Sequence, residues 1–155
     1  MTGTVPDPAR SSDRATIVQT GGRAKAYRPL PAADRRRAFD EALAAYERGD
    51  FFEAHELLEP AWMGTDDLAE RDLDQGLIKL AAAFVHGVRG NPLGIAKNLT
   101  GARERLAAAI GTEPAAASGL DVAGLVAAID DRLARLAADP SGLAIDPPAL
   151  PRLPR

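Results

Sequence analysis

The segment Asp50-Phe51-Phe52-Glu53-Ala54-His55-Glu56-Leu57-Leu58-Glu59-Pro60-Ala61-Trp62 carries the chain's most chemically suggestive spacing. On a helix, at about 100° per residue, Phe51, Leu58 and Trp62 share one narrow sector. His55 falls inside that sector, and Glu59 lies one turn on, at its flank. The pattern therefore buries an imidazole and sets a carboxylate within reach of it. A buried polar group needs a hydrogen-bond partner, and Glu59 is the nearest candidate. A carboxylate beside the ring favours the imidazolium, whereas burial opposes it. Pro60 adds a second peculiarity, because an interior helical proline costs about 3 kcal/mol. It predicts a bend or an early end that swings Trp62 relative to His55.

The other histidine, His86, shares a helical stripe with Gln75, Lys79 and Ala82, opposite the apolar stripe of Leu73, Leu77, Leu80, Phe84 and Val88. Gly76 and Ala83 lie next to it, and small residues there admit a close neighbour. If the second helix packs on that side, His86 and Gln75 face His55 and Glu59. Two imidazoles and one carboxylate suit a divalent metal with open positions. The expected site is a pocket of His55, Glu59, Trp62, Gln75 and His86. It would bind either a divalent metal, ligated by His55, Glu59 and His86, or a small polar ligand. The competing expectation is a structural cluster that only locks helix packing. His55-Glu56 begins like the zinc-protease pattern, but Glu59 stands where that pattern needs its second histidine. No nucleophile signature, phosphate-cradling loop or dinucleotide fingerprint is present, so no residue is assigned to catalysis and an enzymatic role stays open.

These residues sit in a chain that reads as helical. A first helix is expected over about Ala32 to Arg48. Gly49 stops it, and Asp50 caps a second helix with Glu53 three residues on, a capping-box pattern. Asp66 or Asp67 caps a third helix. Gly90-Asn91-Pro92 ends it and opens a fourth, with proline at its first position. Gly111 to Gly119 reads as a loop, and a fifth helix starts near Asp121. No run alternates with period two for long enough to argue a strand. The expected fold class is all-α, a compact antiparallel bundle of about five helices with short connections. Residues 1–31 read as a flexible polar arm and 32–138 as the helical domain. Residues 139–155, with five prolines, read as an extended tail laid across the body by Leu143, Ile145, Leu150 and Leu153.

The 155 residues, 46% of them apolar, predict one domain with a true core. Aromatics are only 5%, so that core must be built from small aliphatic groups. Lack of cysteine excludes a disulfide scaffold and a thiolate metal site. A net charge of −3 gives no case for nucleic acid or membrane. Residues 38–76 hold twelve acidic and two basic side chains, an excess that would attract a cation or a basic partner. The longest unbroken apolar run, Leu80 to Val85, is far short of the roughly 20 residues of a spanning helix. A cytoplasmic protein is expected, and homo-oligomerisation stays open.

The stretch around His55, Glu59 and Trp62 resembles the signature of the domain of unknown function (DUF) 309 family. That signature is a histidine, three residues, a glutamate, two residues, then a tryptophan or tyrosine. Gln75-Gly76-Leu77-Ile78-Lys79-Leu80-Ala81-Ala82-Ala83 with His86 resembles the family's second block, and Gly90-Asn91 its hairpin turn. The likeness spans about residues 36–110. It implies a small all-helical bacterial or archaeal protein of a family with no established biochemical activity. It also implies a functionally important, metal-binding motif at His55 and Glu59 and, more loosely, at Trp62, Gln75 and His86. The alternative class is a helical-hairpin interaction module like tetratricopeptide units, although the expected 34-residue recurrence is missing.

Overall fold

A computed structural model describes residues 16–18 and 24–154. The described residues form six helices, α1 (Ala32–Glu47), α2 (Phe51–Met63), α3 (Leu68–Val88), α4 (Pro92–Ala109), α5 (Glu113–Ser118) and α6 (Val122–Ala138). A small antiparallel ribbon, β1 (Thr16–Val18) with β2 (Ala24–Ala26), precedes them. Three-residue strands are too short to leave an alternating signal, which is why the sequence reading found none. The rest of the polar arm, 1–15 and 19–23, lies outside the described residues.

The helix starts follow local chemistry. The side chains of Asp50, Asp67, Asn91 and Asp121 each accept from the backbone N–H three residues on, satisfying a donor with no partner inside the helix. Gly49 and Gly90 take positive φ in the two tight turns (85° and 69°), a conformation that costs glycine little. The 111–119 segment is not simply a loop. Thr112 caps the short helix α5, with Pro114 in its first turn. Its Ala115-Ala116-Ala117 run carries no apolar stripe for periodicity to detect. Helix α2 does not end at Pro60 but runs through it to Met63. Gly64 follows, where a Cβ would lie 2.5 Å from that of Leu30. Leu30 N–H donates to the Gly64 carbonyl, and Arg28 N–H to that of Met63, so the end of the arm is tied to the end of α2.

The helices pack antiparallel in sequence. Phe51 meets Phe84, with ring centroids 5.7 Å apart, and Trp62 meets Arg71, so α2 runs against α3. Gly76 faces Leu106, Gly101 faces Lys79 and Gly94 faces His86, so α4 runs back along α3 in register. The core is built largely from leucine and alanine: Leu80, Leu99, Leu106, Leu125 and Ile129 are fully enclosed, as are Ala42, Ala45, Ala81, Ala83, Ala102 and Ala109. The proline-rich tail closes one side. Pro148 and Leu150 are buried, and Tyr46 Oη donates to the Pro148 carbonyl at 2.8 Å. Ile145 packs against the core. Leu143 and Leu153, expected as further anchors, are exposed.

Candidate functional site

The buried face of α2 is not centred where its aromatic residues suggested. Ala54, Leu58 and Ala61 are its buried residues, a face turned roughly 50° from the Phe51–Trp62 sector. Alanine causes the shift, because burying it lets a neighbouring helix come close. His55 is thereby left at the edge of the buried face, with its side chain 28% exposed. Its ring stacks on the exposed Phe52 at 6.4 Å between centroids. Its carboxylate neighbour is Glu56, not the expected Glu59: Glu56 Oε2 lies 3.3 Å from Nδ1. That contact lacks the alignment of a hydrogen bond, and Nδ1 stays buried without one. No ion pair joins His55 to Glu59 among the described residues.

The small-residue side of α3 receives α4, not α2. An added Cβ on Gly76 would come within 2.6 Å of Leu106, and one on Gly94 within 2.6 Å of the His86 ring. His86 therefore stands against the start of α4, where Nδ1 lies 3.2 Å from Asn91 Nδ2. The packing that was to bring His86 towards His55 is thus a different one. Among the described residues no three His, Asp or Glu side chains are grouped to hold a metal ion.

What α2 and α3 do bring together lies nearer the other end of the hairpin. Arg71 is completely buried, with its guanidinium carbon 4.7 Å from the centre of the Trp62 ring. Such a desolvated cation over indole contributes about 2 kcal/mol. Arg71 Nη1 donates to the Thr65 carbonyl at 3.0 Å, while Nε and Nη2 have no hydrogen-bond partner. Burial pushes this guanidinium below its usual pKa, against an opposing pull from Asp74. Gln75, one turn after Arg71, keeps its Oε1 buried and unpartnered. Asp74 is buried too, and burial, then the nearby Glu70, push its carboxyl well above the usual carboxylate range, with Arg35 and Arg71 acting the other way. Unpartnered buried polar atoms are scarce in folded proteins, and this hairpin gathers several.

Residues 39–98 match the family model described as Domain of unknown function (DUF309). This segment is a DUF309 domain. It contains His55, Glu59, Trp62, Arg71, Asp74, Gln75 and His86, and it ends before α6 and the tail. No curated protein and no solved structure matches the chain. No helix among the described residues is long and apolar enough to cross a membrane.

The sequence reading missed Arg71 and Asp74 in the DUF309 domain. Asp74 left a trace: at about 100° from Leu73 and 20° from Ala81 on the wheel, it borders the buried arc of α3. Treating Ala81 as a core residue would have widened that arc to include it. Arg71 left none, because what buries it is Trp62 from another helix.

Proposed function

We propose that the α2–α3 seam of this DUF309 domain binds a small polar ligand carrying both hydrogen-bond donors and acceptors. Gln75 Oε1 asks for a donor, and Arg71 Nε and Nη2 ask for acceptors. His55 Nδ1 takes either role according to tautomer, and Trp62 supplies an aromatic wall. Glu59 stands at the rim. One observation carries the reading: Arg71 Nε and Nη2 and Gln75 Oε1, one turn apart on α3, are buried without a hydrogen bond, as is His55 Nδ1 further along the same hairpin. Leaving such groups unmet costs about 1–3 kcal/mol each, a cost that a ligand would remove. A divalent cation at His55 and Glu59 is the other ligand class, and it would complete its shell with water.

Trp62 is the chain's single tryptophan, so its emission reports on this seam alone. The full chain is titrated with glycine, sodium phosphate, zinc chloride and manganese chloride. A saturable change with at least one probe, weakened tenfold or more in both His55→Ala and Gln75→Ala, is the expected result. Unchanged emission with every probe, with His55→Ala altering only stability, would overturn the proposal and leave the cluster a packing device.

A further inference from the structure

A cavity of about 380 Å³ lies between the start of α1, the start of α3 and the short helix α5. Its wall includes Arg35, Phe39, Glu70, Leu73, Asp74 and Glu113. Its size falls within the range of small-molecule sites. Both arginines at this cavity are already committed. Arg35 Nε pairs with Glu70 at 2.7 Å, and Nη1 donates to the Leu30 carbonyl at 2.6 Å. Arg36 Nε pairs with Asp40 at 3.1 Å, and Nη1 donates to the Ala117 carbonyl at 3.0 Å. Asp74 is different. It is 2% exposed, its Oδ2 has no hydrogen-bond partner, and no ion pair reaches it among the described residues. Asp67 and Glu113 add further acidic groups to the wall, while Phe39, Leu73 and Pro114 make it partly apolar.

A buried carboxyl with an unpartnered oxygen beside an apolar wall, with both arginines of that wall paired elsewhere, is complementary to a hydrogen-bond-donating charged head on a short hydrocarbon body. We propose that this cavity binds a small organic cation of the protonated alkylamine class, with Asp74 accepting from its ammonium group and Phe39 and Leu73 flanking its chain. The cavity wall includes none of His55, Trp62, Arg71 and Gln75, so the two readings are tested by different variants.

The test uses the full chain in phosphate buffer free of amines. n-Butylamine, 1,4-diaminobutane and the neutral n-butanol are titrated by calorimetry. The expected result is saturable binding of an amine, tenfold or more tighter than of butanol. It should weaken tenfold or more in Asp74→Asn and stay unchanged in His55→Ala. A nuclear Overhauser effect from the butyl chain to the Phe39 ring should locate the ligand, and it serves even if Asp74→Asn does not fold. No saturable amine binding, equal binding of butanol, or an Overhauser effect that avoids Phe39 would each overturn the proposal. So would equal affinity in a folded Asp74→Asn.

Discussion

Substituting Gly76 by alanine sets two known effects against each other. Within a helix interior, alanine is favoured over glycine by about 1 kcal/mol. At Gly76 the new Cβ would stand 2.6 Å and 2.7 Å from Leu106 Cγ and Cδ2, and 3.1 Å from the Leu106 backbone nitrogen. Leu106 is fully enclosed, so its side chain has no free space to swing into. The nitrogen belongs to the α4 backbone, so relief requires the helices to separate. Overpacking of this kind costs about 1–3 kcal/mol, occasionally more, and the upper part of that range applies because backbone must move. The net expectation is a loss of about 1–2 kcal/mol, or roughly 2–8 °C in Tm for a chain of this size. Gly101→Ala is the matched control on the same interface. Its Cβ would meet Lys79 Cδ at 2.8 Å, the outer part of a flexible side chain. That variant should keep most of the helix-propensity gain and melt at or slightly above the parent temperature. Thermal unfolding followed by circular dichroism compares the three proteins. If Gly76→Ala melts at or above the parent, the close approach of α3 and α4 is not what glycine serves at that position.

Two further outcomes follow from the same packing. Because burial holds the Asp74 carboxyl's pKa above its ordinary value, the folded chain keeps that proton when the unfolded chain has lost it, so this group lowers stability as pH rises from about 4 towards the folded-state value. Urea unfolding of parent and Asp74→Asn at pH 4, 6 and 8, in amine-free buffer, should show the difference moving steadily in the variant's favour, and a pH-independent difference would contradict it. Tyr46→Phe removes the donor to the Pro148 carbonyl, a buried bond of 2.8 Å between α1 and the tail. It should cost about 1 kcal/mol and raise the rate of protease cleavage within residues 143–154, and unchanged cleavage would mean the tail is held without Tyr46 by its other bonds, among them Asp121 N–H to the Pro151 carbonyl and Leu153 N–H to the Gly119 carbonyl.

The candidate site was legible only in outline. The spacing of His55, Glu59 and Trp62 pointed to the hairpin on which several buried unpartnered groups lie, and the family match spans all three. What the spacing could not supply was orientation. The aromatic residues of α2 drew attention to one sector, whereas the alanines at 54 and 61 mark the buried face. A helix wheel ranks Phe and Trp as core and leaves Ala undecided, yet close helix packing selects the smaller residue. The same blind spot concealed Asp74, which lies beside Ala81 at the edge of the buried arc. It also assigned the Gly76 side of α3 to α2, when Leu106 of α4 occupies it.

Helix starts at Asp50, Asn91 and Asp121 were readable from the chain alone, because a cap is satisfied within three residues and needs nothing distant. The turns at Gly49 and Gly90 follow the same local logic. Which face each helix buries, that His86 stands against α4, that Arg71 lies beneath Trp62, and that Pro148 and Leu150 seal one side of the bundle were decided by tertiary packing. In an alanine-rich chain many helix faces are nearly equal in hydrophobicity, so contacts between residues far apart in sequence choose among them.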